Sequence, residues 1–357
     1  MKTRATILRL LALFCLCLSA PALRGATPTL EIYWIDVEGG ASTLIVTPAR
    51  ESILIDTGWP WPPSAARIRD AASNAGLSRI DYLIVTHFHT DHFGGAAPLA
   101  QLLPIGTVLD NGVPDHDPDG ENDARFLKTV QPYREFKAQR RELVQPGATL
   151  PLKQVAAAMP VIFRFMGARR HFVHPPGQGR LNSLCAGATQ KPVDTTDNAN
   201  SVVSLLQYGP FTFFDGGDLT WNMEGELVCP TNSIGQVDVY QADHHGVDLS
   251  NNPLLVRSLA PTVSVMDNGP RKGGSKETLA TLRAVASIQT MYQLHRDPRG
   301  GTEYNTDDQY IANLEEKCDG NYIKCSVDPS GKSYTISIPA KGFAKTYQTR
   351  AAQAGTP

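Results

Sequence analysis

Three histidines and an aspartate at H-x-H-x-D-H spacing, His87-Phe88-His89-Thr90-Asp91-His92, follow directly on the apolar, strand-length run Ile80 to Val85. At a strand end residues two apart point the same way, so His87 and His89 can converge on one ion. The next turn reverses the chain, so that Asp91 and His92 can face a second ion beside the first, and Gly94 and Gly95 let the backbone pass close behind them. A lone strand-end histidine is usually a surface or satisfied core group; four ligand-type side chains at this spacing point to a metal centre. Five of the nine histidines lie in this segment or in the pair His244-His245.

A metal centre needs an ordered scaffold, and the composition supplies one. With 357 residues, 41% hydrophobic, and 33 Lys plus Arg against 35 Asp plus Glu, the chain is that of an ordinary globular protein, and disorder is excluded as its main state. The length fits one large domain or two smaller ones. A formal net charge of -2 offers no global attraction for polyanions, so nucleic-acid or anionic-lipid binding would need a local basic patch.

Lys2, Arg4 and Arg9 precede the apolar run Leu10 to Leu18 and then Ala20-Pro21-Ala22, the order of a secretory signal peptide over residues 1–22. The apolar run falls short of the roughly 20 residues that span a bilayer, and no later segment is long and apolar enough, so no stable membrane span is expected. The expected location is secreted or periplasmic. Cleavage after Ala22 removes three positive charges, taking the net charge from -2 to -5, and leaves Cys185, Cys229, Cys318 and Cys325 of the six cysteines. In an oxidising space two disulfides are possible. The closely spaced Cys318 and Cys325 are the first choice for one, leaving Cys185 with Cys229, although the sequence does not choose among the three pairings.

Strands are expected at Leu30 to Val37, Ser42 to Thr47, Ser52 to Ile55 and Ile80 to Val85, with a helix over Ser64 to Ala75 stopped by Gly76. This alternation favours layered α/β packing. An Asp, Gly, Pro and Asn run from Asp110 to Asp123 leads into a charged, helical stretch over Ala124 to Arg141, an insertion near the site. A second irregular stretch, Pro175 to Asn198, precedes strands at Val202 to Tyr208 and Phe211 to Phe214. Further strands are expected at Val237 to Gln241, Thr262 to Met266, Thr290 to Gln293, Tyr322 to Val327 and Tyr334 to Ile338. Helices are expected at Pro253 to Leu259, Ser275 to Ala286 and Thr306 to Lys317.

The segment Thr86 to Gly95 resembles the signature of the metallo-β-lactamase superfamily. More closely, the chain resembles the metallo-β-lactamase-like domain of the DNA-uptake competence channel. That likeness is carried by Asp56-Thr57-Gly58, the histidine motif, Asn200-Ser201-Val202-Val203, Gly217-Asp218, Asp243-His244-His245-Gly246 and Met266-Asp267-Asn268-Gly269, in order, ending near Ile336. It implies an α/β fold, a four-layer αββα sandwich, forming one domain over residues 23–357 with an inserted loop and helix segment at about 110–141. It also implies that His87 and His89 bind a first metal, Asp91 and His92 a second, and that Asp218 bridges them. One of His244 and His245 would complete the second site, with His244 preferred because it follows the strand directly. Asp56 would sit behind the ligands and orient a histidine; Asp56 and Asp91 are the catalytic candidates.

The superfamily's hydrolases usually supply a third histidine to the first metal from mid-chain. Here the stretch reads Asp197-Asn198-Ala199-Asn200-Ser201, a departure the competence-type members share, so water, Asn198 or Asn200 would fill the position. His171 and His174 are nearer in sequence but read as strand or loop histidines, as do His116 and His295. The cofactors expected are two divalent ions, zinc first for its affinity for imidazole, with manganese or iron also accepted by a His/Asp set. Two ions sharing a water lower its pKa from 15.7 to about 7, which implies an exported hydrolase that needs no side-chain nucleophile. The likeness puts a phosphodiester or related ester first among substrates. A lactone or β-lactam hydrolase and a non-enzymatic secreted metal-binding module are the alternatives. The basic residues Arg164, Arg169 and Arg170, with Arg271, Lys272 and Lys276, could contact phosphates, although solvated faces are the plainer reading. The insertion and Trp59 with Trp61 could wall the cleft, or the tryptophans could simply pack. Nothing in the sequence sets an oligomeric state.

Overall fold

The computed structural model describes residues 29–156, 158–174 and 180–350, so the signal-peptide reading over residues 1–22 lies outside the described residues. The first strand, Leu30–Trp34, shows how the layers arise: Leu30, Ile32 and Trp34 face one apolar cluster and Tyr33 faces another, and all are buried. Successive strand residues point to opposite faces, so a strand that carries apolar side chains on both must be covered on both.

Two sheets meet that demand. One orders its strands Phe343–Gln348, Ser333–Ile338, Ile323–Val327, Leu30–Trp34, Thr43–Val46, Ser52–Ile55, Ile80–Ile84, Ile105–Asp110, Ala138–Leu143. The other runs Ile311–Asn313, Thr290–His295, Val263–Met266, Val239–Gln241, Phe211–Asp215, Val203–Tyr208, Val161–Ala168, His171–Phe172. Their inner faces share a core that includes Trp34, Ile45, Phe163, Phe165, Phe213 and Tyr292. Gln241 ties the sheets together, its Oε1 accepting from Trp34 Nε1 at 2.9 Å and from Thr43 Oγ1 at 2.8 Å. Helices Pro62–Asn74, Ala96–Leu102 and Asp123–Glu135 cover the outside of the first sheet. Helices Trp221–Val228, Pro253–Leu259 and Lys276–Arg283 cover the second. The result is the αββα layering.

Each sheet is antiparallel on one side and parallel on the other. Ser52–Ile55 through Ala138–Leu143 run parallel in the first sheet, and Phe211–Asp215 pairs parallel with Val239–Gln241, which continues parallel through Val263–Met266 to Ile311–Asn313 in the second. Ligands of α/β sheets gather beyond the carboxyl ends of parallel strands. The histidine motif, Asp218, His244-His245 and Asp267 all follow such ends.

Several expectations need correction. The helix over Ala124 to Arg141 ends at Glu135, and Ala138–Leu143 instead adds an edge strand parallel to Ile105–Asp110, its charged side chains suiting a solvated edge. Thr306 to Lys317 is not a helix: Ile311–Asn313 is buried and pairs with Thr290–His295, so sheet contacts override local helix propensity. The strands Ile105–Asp110, Val161–Ala168 and Phe343–Gln348 lie where no strand was expected. Cys185 and Cys229 form a disulfide, but Cys318 and Cys325 do not. Cys325 is buried in the core between the sheets, whereas the Cys318 Sγ lies 3.5 Å from Asp36 Oδ2.

Candidate metal centre

The Ile80–Ile84 strand runs out at Thr86, and His87 and His89 lie on the extended segment between it and the short Thr90–Phe93 helix, which carries Asp91 and His92. The return of this turn is close: a Cβ on Gly95 would collide with the Thr57 carbonyl, so only glycine lets the chain pass. From the facing sheet, Asp218 follows Phe211–Asp215 through Gly216-Gly217. His244 and His245 follow Val239–Gln241 and take left-handed backbone angles, φ 54° and 53°.

These side chains form two groups that share one carboxylate. His87, His89 and Asp218 make one; Asp91, His92, His245 and Asp218 make the other. Asp218 Oδ2 lies 3.2 Å from His92 Nε2, 3.4 Å from His244 Nε2, 3.6 Å from His245 Nε2 and 3.9 Å from His87 Nε2. The Nε2 atoms of His87, His92 and His245 are buried, and none makes a well-aligned hydrogen bond. Buried polar atoms are normally paired. Neutral imidazole nitrogens and carboxylates are also the donor set of zinc and related divalent ions, so the residues fit such ions.

Behind the ligands stands a second set of groups. Asp56 Oδ2 holds His92 Nδ1 at 2.7 Å, Asp119 Oδ2 holds His89 Nε2 at 2.7 Å, and Asp267 Oδ2 lies 3.4 Å from His245 Nδ1. Thr86 Oγ1 lies 3.0 Å from His87 Nδ1, and Ser250 Oγ lies 3.4 Å from His244 Nδ1. A carboxylate on one ring nitrogen fixes the tautomer and aims the other nitrogen at the ion. His92 through Asp56 and His87 through Thr86 are therefore held with Nε2 inward, and His89, tied at Nε2, has Nδ1 free.

Burial keeps the His87 imidazole neutral, its pKa well below 6.5. Burial likewise takes His244 down to about 4. For His92 and His245 burial also works against protonation, and at His245 Lys272 adds to it. Asp218 with Asp56 at His92, and with Asp267 at His245, overcomes this, raising His92 well above the usual value and His245 to about 10. The Asp91 and Asp218 carboxylates stay well below the usual range because the histidines outweigh the cost of burial. Two buried carboxylates thus draw protons onto nearby rings, the charge a cation would otherwise supply.

Among the residues singled out in the sequence, His245 lies in the four-residue group, whereas the preferred His244 lies outside it, 12% exposed, with Nε2 against Asp218 and Nδ1 against Ser250. The two left-handed residues turn the chain so that the second ring is the buried one. Lys272 reaches Asp91, but Arg271 pairs with Glu316 and Lys276 lies near Glu277. Arg169 bonds Asn111 and the Val144 carbonyl. Asn198 is buried with Oδ1 unpartnered; Asn200 bonds Asp197. His116, His171 and His174 are exposed, and His295 is buried against Asp36. Trp59 and Trp61 stack at 4.8 Å and, with His89, Asp91, Asp119 and Phe126, line a cleft of about 550 Å³. The sequence alone marks no role for Asp119 or Asp267. Asp119 sits in the insertion, where many carboxylates look alike, and Asp267 has no ligand-type spacing to its neighbours.

Residues 35–182 match the family model described as the metallo-beta-lactamase superfamily. Recombination protein 2 of Haemophilus influenzae is 24% identical over 245 residues, covering 68% of this chain and 24% of that protein. A UPF0173 metal-dependent hydrolase of a Polaromonas species is 32% identical over 133 residues, 35% of this chain and 42% of that protein. The chain thus spans well under half the length of these curated relatives. The metallo-beta-lactamase fold protein YhfI from Bacillus subtilis superimposes with a TM-score of 0.43 at 14% identity, over 74% of this chain and 95% of that one.

Proposed function

We propose that this chain, built on the metallo-β-lactamase fold, is an exported metal-dependent hydrolase with two divalent ions, zinc first, acting on a phosphodiester or related ester. The observation that carries the reading is the set of buried, unpaired Nε2 atoms of His87, His92 and His245 around the Asp218 carboxylate.

His87, His89 and Asp218 would hold one ion, and Asp91, His92, His245 and Asp218 the other. Bound there, the ions would supply a nucleophile at neutral pH and polarise the scissile group. The protein's own part is preorganisation. Asp56 and Asp119 hold the His92 and His89 rings by hydrogen bonds, and Asp267 places a carboxylate 3.4 Å from His245 Nδ1, so little reorientation is needed when an ion binds. Asn198, in the turn whose Asp197 Oδ2 accepts from the Phe88 amide at 2.6 Å, offers its unpartnered Oδ1 where a third histidine is absent. Trp59 and Trp61 wall the cleft beside His89 and Asp91.

The ester class is supported by Lys272 against Asp91 and by the similarity to a protein named for recombination, which this chain matches over only 24% of that protein's length. Export is supported by the Cys185–Cys229 bridge. The test is elemental analysis of the purified chain together with assays on bis(p-nitrophenyl) phosphate, a lactone and a cephalosporin, before and after chelation. About two ions per chain and phosphodiester turnover that chelation removes and zinc restores are expected. Turnover of the lactone or cephalosporin alone would replace the substrate class. No bound ion and no turnover after adding zinc or manganese would refute the hydrolase.

A further inference from the structure

Asp36, His295 and Cys318 form a third group of ligand-type side chains, with no residue in common with the two groups described above. Three parts of the fold supply them. Asp36 follows the Leu30–Trp34 strand, His295 ends Thr290–His295 on the facing sheet, and Cys318 lies on the loop between Ile311–Asn313 and Ile323–Val327. Asp36 and His295 are fully buried, whereas Cys318 is partly exposed and gives the group a side open to solvent.

The spacing suits an ion. Cys318 Sγ lies 3.5 Å from Asp36 Oδ2, and His295 Nε2 lies 2.8 Å from Asp36 Oδ1. Zinc bonds of about 2.3 Å to sulfur and about 2.0 Å to oxygen, at the tetrahedral angle, set those two atoms about 3.5 Å apart. The same geometry sets nitrogen and oxygen about 3.3 Å apart, so the His295 ring has only about half an ångström to move. Close as it is to Asp36, neither ring nitrogen of His295 makes a well-aligned hydrogen bond, and buried polar atoms are normally paired. The surrounding groups brace the three. Arg67 Nη1 lies 3.1 Å from Asp36 Oδ2 and 2.8 Å from Glu38 Oε1, while its Nη2 donates to the Cys318 carbonyl at 3.2 Å. Asp36 Oδ1 also accepts from Glu38 N at 2.9 Å. A carboxylate offers about four lone-pair sites, so Asp36 can keep both partners and still bind an ion, and ligating carboxylates are ordinarily hydrogen-bonded in this way. The Arg67 charge beside Asp36 weakens the site, so it fills after the His/Asp centre.

We propose that Asp36, His295 and Cys318 form a separate metal site that takes a zinc-class divalent ion through one carboxylate, one imidazole and one thiolate. The thiolate and imidazole favour zinc over magnesium or calcium, and three protein ligands leave the fourth position to water. The site joins the first strand of one sheet to the last residue of a strand in the other, and it does not depend on the hydrolase reading.

The experiment titrates the metal-free chain with cobalt(II) under non-reducing conditions, on protein whose Cys318 and Cys325 both react as free thiols once unfolded. The other two ligand groups contain no sulfur, so a thiolate-to-cobalt charge-transfer band in the near ultraviolet reports this site alone. In the wild type the band should grow in with cobalt added beyond the His/Asp centre, and zinc should bleach it. Cys318→Ser should lack the band and take up one ion fewer, with an unchanged circular dichroism spectrum. His295→Ala should bind that ion at least about tenfold more weakly, since even a partner behind a ligand is worth about 10–100-fold in affinity. No band in the wild type at excess cobalt would overturn the proposal and leave the hydrolase standing. A band that persists in Cys318→Ser would also overturn it. A thiolate band on a chain that takes up no other ion would uphold this site and count against the His/Asp centre.

Discussion

Asp119 is the sharpest place to test the metal centre, because its two carboxylate oxygens do two separate jobs. Oδ2 meets His89 Nε2 at 2.7 Å, and Oδ1 accepts from the Asp197 amide at 2.8 Å. Asp119→Asn keeps the shape but leaves one acceptor oxygen for two donors and removes the negative charge. Either the ring loses its partner or the 197–200 turn does. A hydrogen bond to a charged group contributes about 1.5–3 kcal/mol, and loss of the partner behind a ligand typically costs 10–100-fold in metal affinity. At about 1.4 kcal/mol per tenfold the two figures agree. Since His89 belongs only to the group with His87, one ion should weaken by that factor and the other should hold. A competitive titration with a chromophoric chelator resolves the two affinities. Two unaltered affinities in Asp119→Asn would refute the claim that the insertion positions His89.

Other outcomes follow from the same geometry. Asp91→Ala should lose the ion on the His92 and His245 side and abolish turnover with an unchanged circular dichroism spectrum; undiminished turnover would remove Asp91 from the site. In the metal-free protein the His245 pKa, about 10 when folded against about 6.5 when unfolded, contributes stability fully present below pH 6.5 and lost as pH rises through 10. Unfolding free energies of the chelated protein from urea titrations should therefore fall between pH 7 and pH 9.5, by up to about 1.4 kcal/mol per pH unit per proton, and a flat profile would contradict the assignment. Replacing Cys185 and Cys229 by serine opens a loop of sequence separation 44, which by loop entropy should cost about 4 kcal/mol; a loss below 1 kcal/mol would show that the loop is held by packing instead.

The parts of this molecule that were legible in the sequence are those whose signal is local. H-x-H-x-D-H after an apolar run places four ligand-type side chains by strand and turn geometry alone, and the alternation of strand and helix over Ser52 to Val85 announces layered α/β packing. Asp56 and Asp218 were legible only by their order among other motifs. What sequence did not show depends on contacts across the fold. Which of His244 and His245 is the more deeply buried turns on two left-handed residues that no propensity marks. Asp119 works because an inserted loop folds back 30 residues onto His89. Thr306 to Lys317 carries helix-forming residues, yet the exposed edge of Thr290–His295 takes Ile311–Asn313 as a strand. Cys318 and Cys325 are close in sequence, but one thiol faces the central core and the other faces Asp36.

The two ligand groups also join the two halves of the sandwich. His87, His89, Asp91 and His92 hang from one sheet, Asp218 and His245 from the other, and along this rim the candidate ligand side chains of the two sheets meet. An ion seated there would act as a rivet between halves that otherwise adhere through their shared apolar core. Pulling the sheets apart, by force or by a protease that exploits transient opening, would then require stripping the ion first. Resistance to both should rise with metal occupancy even in a variant that has lost all turnover.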